Sequence, residues 1–360
     1  MTKILHTADL HLRELDDERW QALELILDQT KKIKADVLTI AGDLLDHDSV
    51  SIRFRDQLRQ IFSVQPFKIV ILPGNHDAHS FPPGSFLGEN VHILLQSDDS
   101  IAVDNVIIRG LPYQLQQQPS TASAIAALTQ NLNKNHTNIV LIHGELTDLF
   151  FDSSDYGDEG SKRYYPFSLR AFAGTDVDYL LAGHYHTHSH LKHLPNIRLS
   201  KGGYFLYPGS PVSITTKENT PRCIWLIVPD QPPQEIALTS FYYHQLNLNL
   251  RPDSTPHVLE EFEQQLKSLP KNAKPLIKVG GYFDQTVLKK NEVELNDTIR
   301  QLASRYHAQY SGFEFSAINV DQVVNSSLYH QLVTQINQTI QDQSQQEALV
   351  ELLIKAMTQP

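Results

Sequence analysis

The strongest constraint on the fold of this chain is an alternation of strand-like apolar runs with helical patterns near its N-terminus. The order is "KILHTAD", a helical stripe over residues 16–36, "VLTIAGD", a second helical stripe over residues 49–62, and "FKIVILPGNHD". In a β-α-β-α-β order each helix carries the chain back across the sheet, so the strands run parallel. The sequence therefore predicts an α/β fold built in layers around parallel strands.

The alternation continues to a change of composition near residue 250. A helix is predicted at residues 120–132, and strands at "NIVLIHGE", "VDYLLAGHYHTH", "RCIWLIV" and "EIALTSFYYHQLNLNL". The segment "RPDSTP" then has the prolines of a linker, and a smaller α+β pattern follows it. We predict three parts, which are a main domain at 1–250, an α+β domain at 251–320 and a helical tail at 321–360.

Several of the core strands end in carboxylate, imidazole or amide side chains. Because the carboxyl ends of parallel strands face one edge of a sheet, we expect these side chains to converge. Any one D-x-H or H-x-H pair is more often a turn or surface feature than a ligand pair, but their repetition at successive strand ends favours a two-metal site. The residues are Asp9, His11, Asp43, Asp46, Asn75, His76, Asp77, His143, His184 and His186.

This set of donors has a chemical meaning. Oxygen and nitrogen donors without a thiolate favour manganese, with iron, zinc or magnesium as alternatives. Two metals about 3.5–4 Å apart need a carboxylate between them. Asp43 is the natural bridge, since its strand lies between the others in the predicted order.

The composition of the chain excludes some classes of protein function. The net charge of −11 argues against gripping nucleic acid by bulk electrostatics alone and suits a protein that collects cations. The one cysteine, Cys223, excludes an intrachain disulfide and is interpreted as a small core residue. No apolar run approaches the roughly 20 residues of a membrane span, and no signal peptide is recognised. We therefore expect a cytoplasmic protein with no membrane partner.

The ordered motifs D-x-H, G-D-x-x-D, G-N-H-D, H and G-H-x-H resemble the signature of the calcineurin-like metallophosphoesterase superfamily over roughly residues 1–230. Within it, "VDYLLAGHYH" followed by "YFLYPGSP" is most similar to the SbcD-type DNA-repair exonuclease subunits. The resemblance implies a layered β-sandwich flanked by helices, with a small C-terminal α+β capping domain and a helical tail. It also implies a DNA exonuclease or endonuclease that works with an SbcC-like coiled-coil ABC-type ATPase.

The resemblance further implies a role for each residue of the site. One metal would be held by Asp9, His11, Asp43 and His186, and the other by Asp43, Asn75, His143 and His184. His76 would stabilise the transition state and protonate the leaving oxygen. Asp77 would orient His76, and Asp46 would lie near the metal held by Asp9 and His11.

Some alternatives stay open at this point. The amphipathic helices after Asp321 either dock the ATPase or pack on the chain itself. A homodimer is a further expectation, for which Phe54, Leu58 and Phe62 are either the contact surface or core residues. A small-molecule phosphodiesterase or phosphatase with no DNA partner is the alternative function, and the negative charge favours it.

Two loops beside the expected site depart from the pattern of the SbcD-type subunits. His47 and Asp48 follow the G-D motif where a proline-containing continuation is expected, and His47 is either a solvated residue or one that reaches substrate. The segment from Phe150 to Tyr165 is acidic, which is unusual beside a groove for a polyanion. It is interpreted either as a surface loop or as part of the site. His188 is a further candidate, since it follows the H-x-H pair at the same spacing.

Overall fold

The computed structural model of the 360-residue chain divides into two compact units, Met1–Tyr243 and His244–Pro360. The described residues are 1–113, 120–130, 132–148, 165–187, 189–194, 196, 202–308, 314–315 and 318–358.

The first unit contains two sheets and the helices that cover them. Its strands are β1 (Ile4–Thr7), β2 (Val37–Ala41), β3 (Lys68–Leu72), β4 (Val91–Ile93), β5 (Ser100–Val103), β6 (Val106–Leu111), β7 (Thr137–His143), β8 (Tyr179–Gly183), β9 (His190–Leu194), β10 (Gly203–Tyr207), β11 (Cys223–Ile227) and β12 (Gln234–Ala237). Its helices are α1 (Glu18–Ile33), α2 (Ser51–Ser63) and α3 (Thr121–Gln130), with 3₁₀ turns at Asp48–Val50 and Leu169–Phe172.

Over the described residues, each of the two sheets has six strands and a parallel centre. The first has the order β12-β11-β1-β2-β3-β4, in which β1 to β4 are parallel and β11 is antiparallel to β1. The second has the order β5-β6-β7-β8-β10-β9, with β6, β7, β8 and β10 parallel and an antiparallel strand at each edge. The predicted parallel arrangement of β1, β2 and β3 is therefore confirmed.

Three apolar clusters define the layers of this unit. Helices α1 and α2 pack on the outer face of the first sheet, and α3 packs on the outer face of the second. The cluster between the sheets takes Val37 and Val70 from the first and Ile139 and Leu181 from the second. The expected layered sandwich flanked by helices is confirmed. Cys223 is buried in the cluster between the sheets, as predicted.

Helix α1 shows how local sequence fixes the outer layer. The Asp17 side chain caps the helix by accepting hydrogen bonds from two main-chain N–H groups of the first turn, and Lys34 ends it in the left-handed conformation. Trp20, Leu23 and Leu27 recur at a spacing of three and four residues, so they lie on one face and are buried against the sheet.

Helix α2 carries the three residues that the sequence assigns either to a dimer surface or to the core. Phe54, Leu58 and Phe62 are buried in the cluster between the helices and the first sheet. They are core residues, so they do not form the dimer surface for which they were a candidate. The physical reason is that they recur every four residues on the helix face that covers the sheet.

The second unit is a smaller α+β arrangement around one long strand. The remaining elements are β13 (Tyr242–Leu250), α4 (His257–Ser268), β14 (Ala273–Phe283), α5 (Gln285–Leu288), α6 (Glu292–Arg305), β15 (Glu314–Phe315), β16 (Ile318–Asn319), α7 (Asp321–Val324), α8 (Ser327–Thr339) and α9 (Gln343–Thr358). β14 lies between β13 and β15 and also pairs with β16. Helices α4 and α6 share a core with Ile277 and Val279 of β14.

The C-terminal helices are partly buried and partly exposed. Ile354 of α9 packs with Val320 and Val324, while Leu328 of α8 and Leu352 of α9 are more than half exposed. The tail thus packs on its own chain with one set of apolar residues and leaves another set accessible. The roles of the second unit as a cap and of the tail as a docking segment stay predictions.

Two features of the fold differ from the sequence expectation. The run "EIALTSFYYHQLNLNL" forms two strands, β12 and β13, which are separated at Ser240, where the hydroxyl donates to the carbonyl of Pro211. β9 and β10, which pair with each other in the second sheet, were not predicted. In the part of the chain that the structure describes, none of the helices is long and apolar enough to span a membrane.

Candidate metal centre

Four of the predicted ligands meet at the ends of strands from both sheets. Asp9 follows β1, Asp43 follows β2 and His186 follows β8, and His11 completes the group. All four are buried, and each offers a donor atom within 4.8 Å of the donors of the other three. The sequence predicts that the motifs share one sheet edge, but the structure brings together the ends of parallel strands from two sheets.

Of the other predicted ligands, His143 lies next to Asp43, and Asn75 and His184 lie next to His143. The Asp43 Oδ2 atom is 3.2 Å from His143 Nε2 and 3.7 Å from His11 Nε2. His143 Nε2 is also 3.0 Å from Asn75 Oδ1, and the rings of His143 and His184 have their centroids 5.5 Å apart. Asp43 therefore lies between the two predicted groups of ligands, where a bridging carboxylate is needed.

The backbone at these residues is unusual. Asp9, His11, Asp43 and His184 have φ angles of 57°, 50°, 50° and 113°, in a region that residues other than glycine rarely adopt. Two main-chain hydrogen bonds hold the first three, from Asp9 N to Gly42 O (3.1 Å) and from His11 N to Asp43 O (2.9 Å). Strained backbone of this kind concentrates at functional sites, because the surrounding structure enforces it.

Two glycines of the motifs make the close approach possible. A Cβ atom on Gly42, which has φ +94°, would lie 1.8 Å from His143 Nδ1. A Cβ atom on Gly74 would lie 2.2 Å from Asp43 Oδ1. The glycines that precede the aspartate in G-D and the asparagine in G-N are thus needed to leave room for the side chains of the site.

The charges of the site are strongly coupled. Burial opposes ionisation of Asp43, but the adjacent His143 outweighs it and lowers the Asp43 pKa. Burial likewise opposes charge on His143, yet the Asp43 carboxylate raises the pKa of this imidazole to about 10. Burial raises the pKa of Asp9. Without a metal ion, the proton on His143 balances the Asp43 carboxylate, and a metal held by His143 Nε2 would take the place of that proton.

The donors fit a divalent metal in two further respects. Asp43 Oδ2 is buried and accepts no hydrogen bond of good geometry from the described residues. His11 Nε2 and His186 Nε2 are 3.1 Å apart. Two imidazole nitrogens that share one ion lie roughly 3 Å apart, because each metal–nitrogen bond is about 2.1 Å long.

Two of the histidines are oriented by oxygen atoms on their far side. His143 Nδ1 is 2.9 Å from the carbonyl oxygen of Ala41, and His11 Nδ1 is 3.4 Å from Asp46 Oδ1. The hydrogen bond from His143 Nδ1 to Ala41, and the position of Asp46 beside His11 Nδ1, leave Nε2 of each ring to act as a ligand. Asp46 therefore lies where it was expected, beside the group of Asp9 and His11.

His76 lies next to this group. Its main-chain N–H donates to Asp43 Oδ1 (2.9 Å), and its ring is 4.6 Å from that of His11, centroid to centroid. His11, Asp46 and His76 form a second group of donors within 4.8 Å of one another. His76 thus borders the metal centre on the side of Asp46.

Asp77 has a different task from the expected one of orienting His76. Its carboxylate accepts hydrogen bonds from the main-chain N–H groups of Gly74 (2.7 Å) and Leu45 (3.2 Å) and so closes the turn. The short side chain reaches back three residues to the main chain of Gly74. The carbonyl oxygen of Asp46, 2.7 Å from His76 Nδ1, takes the orienting position. Burial and the neighbouring Asp43 raise the pKa of Asp77 to about 7.

Arg19 is a residue of the site that the sequence reasoning missed. It donates to Asp46 Oδ1 (3.0 Å) and to the carbonyl oxygen of His11. One signal was available, since a basic side chain in the first turn of α1 opposes the helix dipole and indicates an acidic tertiary partner.

Of the two loops that depart from the family pattern, the structure describes the one at His47 and Asp48. His47 is half exposed, and its Nδ1 atom is 3.1 Å from Asp46 Oδ2. Asp48 accepts hydrogen bonds from His79 N and Ser80 Oγ, and these bonds link its loop to the loop that follows β3. His188 and the acidic residues Asp152, Asp155, Asp158 and Glu159 lie outside the described residues.

A family model described as calcineurin-like phosphoesterase matches residues 2–188, which is more than half of the chain. The chain belongs to this family. Together with the cluster of donors, this makes it a hydrolase of phosphoesters with a metal centre. No curated protein sequence matches it.

Solved structures that are similar to this chain share little of its sequence. A protein of Thermus thermophilus is 12% identical, with a TM-score of 0.42, over 62% of this chain and 93% of that chain. A dimetal phosphatase from Danio rerio is 11% identical, with a TM-score of 0.42, over 62% of this chain and 91% of that chain.

Proposed function

We propose that the chain is a manganese-dependent phosphodiesterase that cleaves DNA, as the nuclease subunit of an SbcD-type complex. The observation that carries the two-metal part is the position of Asp43, whose Oδ2 atom faces His11 on one side and His143 on the other. Asp9, His11, Asp43 and His186 would hold one ion, and Asp43, Asn75, His143 and His184 the other. When bound, two divalent ions supply an activated water and stabilise the charge that develops on the phosphoryl oxygens.

The chain's own residues contribute orientation and a proton. Asp43 fixes the distance between the two sets of ligands, and the main chain of Ala41 sets the tautomer of His143. His76 donates from Nδ1 to the Asp46 carbonyl, and the proposed role assigns its Nε2 atom to the substrate. A charged His76 ring at this position protonates the leaving oxygen.

The choice of DNA as substrate rests on the sequence. "VDYLLAGHYH" and "YFLYPGSP" are similar to the SbcD-type subunits, and an α+β unit follows the phosphoesterase domain as in that branch. The exposed Leu328 and Leu352 of the tail are the residues we propose for docking an SbcC-like ATPase. We also propose that the protein is located in the cytoplasm and that it forms a homodimer, for which no contact surface is assigned.

A small-molecule phosphodiesterase or phosphatase is the second candidate. The net charge of −11 favours it, because a polyanionic duplex is repelled by a protein of the same sign. The metal centre serves both reactions equally, so only the substrate separates them.

The test is cleavage of end-labelled duplex and single-stranded DNA with Mn²⁺, run beside a chromogenic phosphodiester. We expect DNA to be degraded and the His76→Ala variant to lose roughly 10²–10⁴-fold in rate while still binding metal. His79→Ala is the matched control, since this exposed histidine lies in the same loop outside the donor groups. Cleavage of the small ester alone, with intact DNA, would overturn the nuclease assignment and support the second candidate.

A further inference from the structure

A buried acid lies behind His186, on the side away from the other ligands. Glu218, in the segment between β10 and β11, is fully buried, and its Oε1 atom is 3.6 Å from His186 Nδ1. The Nε2 atom of the same ring faces His11 Nε2 at 3.1 Å. The imidazole therefore has a ligand of the donor group on one side and a carboxylate on the other.

The segment around Glu218 is built to hold this carboxylate. Oε2 accepts hydrogen bonds from Ser210 Oγ (3.0 Å) and Ile214 N (2.5 Å), and Oε1 accepts from Thr215 N (3.2 Å) and Thr215 Oγ1 (3.3 Å). A buried carboxylate is stable only with several such donors, and a ring of donors also fixes its position.

Arg222 anchors the same segment to the main chain of the site. Its guanidinium is buried and donates to the carbonyl oxygens of Ser210 (2.8 Å) and Thr187 (3.3 Å), and also to that of His186. It also lies 3.3 Å from Ser210 Oγ, which in turn donates to Glu218. Both the ring and the backbone of His186 are thus held by one stretch of chain, residues 210–222.

The arrangement repeats the one at His11. Asp46 Oδ1 lies 3.4 Å from His11 Nδ1, and Glu218 Oε1 lies 3.6 Å from His186 Nδ1. Each of the two histidines that meet at Nε2 has a carboxylate behind its Nδ1. Asp46 accepts a hydrogen bond directly from Arg19, while Glu218 accepts from Ser210 Oγ, which in turn accepts from Arg222.

We infer that Glu218 is a positioning residue of the metal centre, which holds the His186 ring with Nε2 facing Asp9 and His11. It acts through His186 and so affects the ion at that position, while the ion near Asn75 and His143 keeps its ligands. This inference rests on the two-metal centre of the proposed function. Partners of this kind typically contribute 10–100-fold to metal affinity.

The experiment is a Mn²⁺ titration of the full chain, in which binding is measured by electron paramagnetic resonance and by calorimetry. In Glu218→Gln we expect one of two binding steps to weaken by about 10–100-fold, with the other unchanged. Glu218→Asp keeps the buried charge and is expected to weaken the same step by a smaller factor. Ser213→Ala is the control, since Ser213 Oγ donates to the Glu218 main-chain oxygen and does not touch the carboxylate. It is expected to leave both steps unchanged.

A double-mutant cycle with His186→Asn separates positioning from a general loss of structure. If Glu218 acts through His186, Glu218→Gln causes no further loss of affinity in the His186→Asn background. Additive losses, unchanged binding in both Glu218 variants, or an equal effect of Ser213→Ala would each overturn the inference.

Failure of the nuclease assignment is recognised separately. If the chain binds two ions but cuts no DNA, the proposed substrate is contradicted. The expected ranking of the variants by Mn²⁺ affinity is then unaffected. A wild-type chain that binds no Mn²⁺ contradicts both proposals.

Discussion

The Nε2 atoms of His11 and His186 lie 3.1 Å apart, although 175 residues separate them in the chain. Their rings meet edge to face with centroids 4.7 Å apart, and both are buried. Two imidazole nitrogens in such a place repel each other through their lone pairs unless a proton or a cation lies between them. The contact brings together one histidine from the end of the first sheet and one from the end of the second, and the two meet at the candidate cation site.

Removal of the charge on Asp43 is expected to abolish binding of both ions. Asp43→Asn keeps the Oδ1 acceptor for His76 N but loses the anionic oxygen between the two groups of ligands. We expect metal content to fall from two ions to less than one and cleavage to fall by more than about 10²-fold. The measurement is metal analysis after dialysis. Asp48→Asn is the matched control, because this acid accepts hydrogen bonds from His79 N and Ser80 Oγ and lies outside the donor groups. Retention of two ions in Asp43→Asn would contradict the bridging position.

The glycine of the G-D motif is expected to be irreplaceable for a steric reason. In Gly42→Ala the new Cβ atom would overlap His143 Nδ1, which is part of a buried ring. Gly84 has a similar φ of +86° with no atom within 4 Å of its Cβ position, so Gly84→Ala measures the backbone cost alone. We expect about 1–2 kcal/mol for Gly84→Ala, and about 1–3 kcal/mol more for Gly42→Ala. Urea denaturation of the two variants checks this, and equal losses would show that the contact with His143 is relieved at no cost.

The buried His6 is expected to make the protein acid-sensitive. Burial lowers the pKa of His6 to about 3, from its ordinary value of 6.5. Because the folded pKa is the lower one, the unfolded chain binds more protons between pH 6.5 and 3, and stability falls as the pH falls through this window. The slope is at most about 1.4 kcal/mol per pH unit from this group.

The measurement for His6 is the free energy of unfolding between pH 7 and 4. His6→Asn is expected to flatten the slope, although it is less stable at pH 7 because the contact of Nδ1 with Thr39 Oγ1 (3.0 Å) is lost. His79→Asn, at an exposed position, is the control and keeps the wild-type slope. An unchanged slope in His6→Asn would assign the acid sensitivity to other groups.

Arg19 is expected to matter more for the site than Arg13, although both face Asp46. Arg19 is 15% exposed and lies 3.0 Å from Asp46 Oδ1, while Arg13 is 58% exposed and lies 3.9 Å from Asp46 Oδ2. We expect Arg19→Met to weaken Mn²⁺ binding by up to about 10-fold, since Asp46 then loses the donor that fixes it behind His11. Arg13→Met is expected to change binding by less than about 2-fold, because exposed ion pairs contribute little. Equal effects of the two substitutions would contradict this ranking.

Much of the site was predictable because the relevant signals are short-range. A strand followed at once by Asp, His or Asn is a local pattern, and Asp9, Asp43 and Asn75 lie at the strand ends where the sequence predicted them. The parallel α/β layers followed from periodicity, since parallel strands joined by helices have few packing solutions. The sandwich of two sheets followed from the resemblance to the family. The glycines of the motifs were visible in the sequence, but their contacts with His143 and Asp43 were not.

The sequence by itself determined the order of elements, the family motifs and the kinds of donor, because these depend on neighbours along the chain. Only the tertiary structure decided that the donors come from two facing sheets, that Phe54 is core, and that the Asp46 carbonyl orients His76. It also placed Arg19 beside Asp46 and Glu218 beside His186. The physical reason is that a buried charge is positioned by whichever donors the packing brings to it, and that packing is set by the whole core.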